Sequence, residues 1–127
     1  QEVIEVQKER SLIFLNGLLS HSVEKDALLM KDSVTGKQVT EVTTNARVAT
    51  TQELAWGEEI RTVLHAYVRE RMGRDEQFLF NRVDIVPDGE GSFFVMEVAL
   101  VDADLYLGSA PNALNNFADA IAVRAFW

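Results

Sequence analysis

The sequence predicts an α+β fold, an antiparallel sheet with two helices packed on one face, and three observations carry that reading. Helical periodicity is confined to two separated stretches. Short apolar runs of strand type precede and separate them. Tight-turn signals, Asn16-Gly17 and Pro87-Asp88-Gly89-Glu90-Gly91, join neighbouring runs as hairpins.

Taken in order, Val3 to Val6 and Ser11 to Leu15 read as strands. Asn16-Gly17 turns the chain because both residues tolerate positive φ, and Ser20 to Glu24 forms the returning strand. The pattern then loosens from Lys25 to Thr51. Asp32-Ser33-Val34-Thr35-Gly36-Lys37 reads as a loop, and the Val and Thr residues from Val39 to Val48 as one weak strand or an extended flap. A helix follows: Thr50 and Glu53 stand at capping-box spacing, Trp56, Ile60, Val63, Leu64, Tyr67 and Val68 recur at helical period, and Gly73 stops it. Phe80 to Val86 and Phe93 to Leu100 make the second hairpin. Ser109-Ala110-Pro111-Asn112 then opens a helix whose Leu114, Phe117, Ala118, Ile121 and Ala125 fall on one face.

Length limits what this frame can be. The chain has 127 residues, of which 47% are hydrophobic, and no internal repeat, low-complexity tract or linker divides it, so residues 1–127 are expected to form a single domain. No run is apolar and long enough to span a bilayer, and Gln1-Glu2-Val3-Ile4-Glu5 lacks the basic start of a secretory signal. The first residue is not Met, which leaves upstream processing or sequence open. With no cysteine, disulfides, thiolate metal ligands and a cysteine nucleophile are excluded. A net charge of -8 argues against nucleic acid or an anionic membrane as partner, yet is compatible with a magnesium nucleotide. Cytoplasm is the expected compartment.

Chemistry concentrates in the second hairpin. Arg82 and Asp84 lie on its first strand and Glu97 on its second, so pairing gathers one cation and two carboxylates where a metal phosphate can sit. The same residues also suit a solvated strand surface. His21 and His65 have neither the spacing nor the acidic partners of a metal site, and the sequence places no base beside Ser11 or Ser20. Phe126-Trp127 suits a core or an interface better than a ligand platform.

The hairpin, Arg82-Val83-Asp84, then Asp88-Gly89, then Phe94-Val95-Met96-Glu97-Val98, resembles the C-terminal metal-binding hairpin of the ATP-grasp ligases. Gln1, the strand Glu9-Arg10-Ser11, the turn Asn16-Gly17 and Ser20-His21-Ser22-Val23-Glu24-Lys25 are similar to that family's Gln, its Gly-Glu-x-Ser strand, its turn glycine and its Ser-His-Ala-Val-x-Lys strand. Ala110-Pro111-Asn112-Ala113 and Phe117-Ala118-Asp119-Ala120-Ile121 resemble the closing helix, in the branch of glutathione synthetase and the ribosomal-protein-modifying ligases. Nearly the whole chain is covered, loosely between Lys25 and Thr51.

The resemblance implies the C-terminal subdomain of the ATP-grasp fold, with ATP and Mg2+ as cofactors and an acyl phosphate as intermediate. It implies magnesium ligation by Asp84 and Glu97, a phosphoryl contact by Arg82, ribose contact by Glu9, and an adenine edge along Glu2, Val3 and Ile4; Lys37 is a further phosphate candidate. Departures are Lys8 where the family has glycine before Glu9, and Ala99 where it usually has a second Asn or Glu ligand; Asp102 and Asp104 stand nearby. The nucleotide-clamping half and the substrate domain have no counterpart in these residues. Two expectations follow: part of an ATP-dependent carboxylate ligase, unlikely to be catalytic in isolation and needing a missing N-terminal half, or a non-catalytic ATP-grasp-derived binding or self-assembling protein. A homo-oligomer, a dimer first, is expected through the sheet face or the Phe126-Trp127 end.

Overall fold

The computed structural model describes the backbone of residues 3–5, 8–31 and 38–127 and the side chains of 8–26 and 43–127. Among the described residues the elements run β1 (Val3–Glu5), β2 (Glu9–Leu15), β3 (Leu18–Lys31), β4 (Gln38–Arg47), α1 (Thr51–Met72), β5 (Phe80–Pro87), β6 (Phe93–Ala99) and α2 (Ala113–Arg124). All neighbouring strands are antiparallel. β1 and β2 lie along one edge of β3 and β4 along the other, and the sheet continues from β2 through β5 to β6.

Local chemistry explains most element ends. Asn16 and Gly17 take φ of 48° and 85°, the two positive values a tight hairpin between β2 and β3 requires. The capping box of α1 is complete: Thr50 Oγ1 accepts from the Glu53 N–H at 3.1 Å while Glu53 Oε1 accepts from the Thr50 N–H at 2.9 Å. Gly73 ends α1 as its C-cap. Between β5 and β6, Asp88 Oδ1 accepts from the N–H groups of Glu90 and Ser92 at 2.7 and 3.0 Å, closing the turn. The stretch expected to be loose holds the second half of β3, which runs 14 residues, past Glu24, and all ten residues of β4. Pairing along ten successive positions with β3 holds β4 where its own composition is a weak signal. The expected loop at 32–37 lies outside the described residues.

The helices occupy opposite faces of the sheet, which corrects the expectation of one face. Leu12 and Phe14 join Val83, Ile85 and Phe93 beneath Trp56 and Ile60 of α1. Ile13 and Leu15, one residue along, join Leu105 and Ala120, with Phe117 of α2 packed beside them. Successive strand side chains point to opposite faces, so a run buried without interruption from Ser11 to Leu15 needs cover on both. α2 is also rotated from the expected face. Ala113 and Ala120 are buried, whereas Leu114 and Ile121 are 63% and 46% exposed. Small alanines let α2 approach the sheet, and Asn16 Nδ2 donating to the Ala120 carbonyl at 3.0 Å fixes the rotation. Phe126 and Trp127 are exposed, not core.

Candidate functional site

Alternation along β5 divides its residues. Val83 and Ile85 enter the α1 side, so Arg82 and Asp84 take the α2 side. Register then supplies their neighbours. Asp84 stands opposite Glu97 of β6 and Ser11 of β2, while Arg82 stands opposite Ala99 and Ile13. β3 sets Lys25 opposite Glu9. After β6 the chain crosses this face at 103–107, where Leu105 is buried.

The predicted trio is brought together. Arg82 Nη2 donates to Asp84 Oδ2 at 2.9 Å and to Glu97 Oε2 at 3.0 Å, and Nη1 donates to the Asp104 carbonyl at 3.0 Å. Arg82 Nε is buried and has no hydrogen-bond partner. Asp84 is 1% exposed and its second oxygen, Oδ1, accepts from the Ser11 hydroxyl at 2.6 Å. Glu97 is different, since its side chain is 57% exposed. A buried carboxylate thus orients the guanidinium and an open one meets solvent.

A second cation completes the cluster. Lys25 Nζ lies 2.9 Å from Glu9 Oε2 and 3.9 Å from Asp84 Oδ2. Burial opposes its charge, but the hydrogen bonds to Glu9 and Tyr106 and the charge of Asp84 outweigh burial and raise the Lys25 pKa above its ordinary 10.5. Arg82 is held charged in the same way: burial opposes, and the charge and hydrogen bond of Asp84, with Glu97 and Tyr106, prevail. The Tyr106 ring centroid is 5.6 Å from the Arg82 guanidinium carbon and 5.4 Å from Lys25 Nζ.

Glu9, expected at a ribose, pairs here with Lys25. Glu2 and Lys37 lie outside the described residues, and Val3 and Ile4 are placed only as backbone of β1. Asp104, expected as a substitute for the ligand missing at Ala99, uses Oδ1 to accept from the Tyr106 N–H at 2.8 Å. The histidines are structural. The Leu105 carbonyl can only accept, so His21 Nε2 donates to it at 2.6 Å and Nδ1 accepts from the Ser20 hydroxyl at 2.7 Å. His65 stacks near Phe78.

The donor chemistry fits magnesium in one mode. Asp84 and Glu97 are hard oxygen donors at directly paired positions, and Glu97 presents accessible oxygens. Among the described residues no group of three or more acidic or imidazole side chains is poised to hold a metal. A magnesium ion there would draw its remaining oxygen ligands from phosphate and water, which is how magnesium is commonly held. Sequence reasoning missed Ser11, Lys25 and Tyr106. Only the Ser-His-x-Val-x-Lys likeness pointed to Lys25. Ser11 becomes a partner of Asp84 because β2 neighbours β5, a fact of strand order.

No family model matches the chain. Over 97% of its length it is 28% identical to the cycloserine biosynthesis protein DcsG of Streptomyces lavendulae, of which it covers 40%. It superposes on the crystal structure of D-cycloserine synthetase DcsG with a TM-score of 0.66 and 28% identity, covering 91% of this chain and 37% of that one. On the D-alanine–D-alanine ligase of Bacillus anthracis the TM-score is 0.60 at 13% identity, with 92% and 38% covered, a likeness of fold. The chain thus spans about 40% of the length of the curated relative it matches.

Proposed function

We propose that this chain, homologous to ATP-grasp ligases over most of its length, supplies the magnesium-phosphate side of a ligase that joins a carboxylate to an amine or thiol. In that reaction a carboxylate oxygen attacks the terminal phosphorus of ATP and ADP leaves. The amine or thiol then attacks the acyl carbon, expelling inorganic phosphate and forming an amide or thioester. Phosphoryl transfer of this kind is governed by positioning and neutralisation of charge. Magnesium, when bound, would neutralise the phosphate oxygens; Glu97, the open carboxylate, would hold it, and Asp84 could join it only by giving up Ser11 or Arg82.

The chain's own residues have distinct tasks. Asp84, anchored by Ser11, aims the Arg82 guanidinium, and Arg82 donates to the phosphoryl oxygens as negative charge moves onto them. Lys25 adds the second positive charge, and Glu9 sets it in place. The chain spans about 40% of the length of its curated relative, and the donor and acceptor are not assigned.

The observation that carries the reading is one guanidinium bridging two carboxylates from paired strands, beside a second cation, in a chain of this ancestry. Isothermal titration calorimetry with Mg-ATP tests it. Saturable binding that disappears when EDTA removes magnesium is expected. No binding, alone or with the remaining part of a parent ligase added in trans, would sink it.

A further inference from the structure

Three consecutive residues fasten the segment after β6 to the sheet. The Asp104 carbonyl accepts from Arg82 at 3.0 Å, the Leu105 carbonyl accepts from His21 at 2.6 Å, and the Tyr106 ring lies against both Arg82 and Lys25. Tyr106 pays for its place with backbone strain. Its φ is +53°, a left-handed conformation in which a bulky side chain is rare and which persists only when the surroundings impose it. Asp104 Oδ1 imposes it by accepting the Tyr106 N–H at 2.8 Å. Asparagine or glycine would make this turn without strain, so the turn alone does not explain a tyrosine.

The ring explains it. Arg82 and Lys25 repel one another and share one buried counter-ion, Asp84, at 2.9 and 3.9 Å, while each also has an outer carboxylate, Glu97 at 3.0 Å and Glu9 at 2.9 Å. An aromatic face is negative and apolar, so it attracts both cations while denying water to one side of them. We propose that Tyr106 is a positioning residue: its ring holds Arg82 and Lys25 side by side as one cationic seat for a polyphosphate, open only on the side away from the ring. This rests on the ligase reading and deepens it, because it assigns the strained segment after β6 to the phosphate site.

Two substitutions in the full chain separate the ring from the turn. Tyr106→Asn suits the left-handed backbone and removes the ring; Tyr106→Phe keeps the ring and removes the hydroxyl. Binding of Mg-ATP and of inorganic tripolyphosphate is measured by calorimetry, alongside thermal melting. Tyr106→Asn is expected to melt no lower than the parent chain yet bind both polyanions at least about tenfold more weakly, with Tyr106→Phe within about threefold of the parent. Parental affinity in Tyr106→Asn overturns the proposal. Should the parent chain bind neither polyanion, even with the remaining part of a parent ligase added in trans, the ligase reading fails, and the Arg82 Nε and Lys25 Nζ NMR signals decide the positioning role separately. Averaging of both signals to freely rotating values in Tyr106→Asn supports it, and unchanged signals overturn it.

Discussion

On the α1 side of the sheet, Leu12, Phe14, Val83, Ile85 and Phe93 meet Trp56 and Ile60, and Gly57 sits so close that a Cβ there would lie 2.8 Å from the Phe14 ring. On the other side, one residue along the same strands, Ser11, Arg82 and Asp84 form a hydrogen-bonded chain beneath Tyr106. The two faces are built from one backbone with a period of two. A slip of one residue in β5 would exchange them, putting Arg82 and Asp84 under α1 and Val83 on the face of Ser11 and Tyr106. The difference teaches where stability and chemistry reside: apolar packing specifies the register, and the register places the charges.

Removing the centre of the α1 side should cost most. Phe14, fully buried, is expected to lose about 3–5 kcal/mol on Phe14→Ala in urea denaturation, through lost transfer energy and a residual cavity. A loss below about 1 kcal/mol would show that α1 is not seated on the sheet as described.

The opposite face should behave differently under two kinds of change. Asp84→Ala leaves the Ser11 hydroxyl buried without its partner and Arg82 without its buried counter-ion, and about 3 kcal/mol of stability should be lost. Replacing the set together, as Ser11→Ala with Arg82→Met and Asp84→Leu, should restore stability to near the parent while abolishing Mg-ATP binding. If the triple variant still binds Mg-ATP, the division between the faces is wrong.

A charge on the α1 side supplies the smallest effect and the control. Glu53 is fully buried, ion-paired to Arg47 and bonded to Thr50. Burial alone would raise its pKa, but the Arg47 hydrogen bond and those of Thr50 lower it below the ordinary 4.5. A lowered folded pKa means stability that is present above the unfolded value and lost as pH falls through the folded value. Glu53→Gln should therefore cost about 2 kcal/mol at pH 7 and flatten the acid limb below about pH 4.5, leaving Mg-ATP affinity unchanged. Denaturation curves across pH read out the first two effects, and calorimetry the third.

Much of this architecture is legible in the residues. Thr50, Glu53 and Gly73 bound α1 by local chemistry, Asn16-Gly17 fixes the first hairpin, and Arg82, Asp84 and Glu97 meet because a hairpin must pair them. What escapes is set at long range. β4, read from Val39 to Val48 as a weak strand or a flap, is a strand because β3 offers ten partners, α2 turns Ala113 and Ala120 inward because of where the sheet lies, and Ser11 finds Asp84 because two distant strands are neighbours. The uninterrupted apolar run Leu12 to Leu15 was the available sign that both faces are covered. Tyr106 carries no local signal, since nothing in sequence spacing reveals a ring laid over two cations.

Glu97 offers the most direct test, because its exposed side chain can be altered with little effect on packing. Calorimetric titration of the parent chain and Glu97→Gln with Mg-ATP, with melting curves on both, isolates its role. The account predicts melting within about 0.5 kcal/mol of the parent and an affinity for Mg-ATP at least about tenfold lower. Equal affinity in the two chains would contradict it.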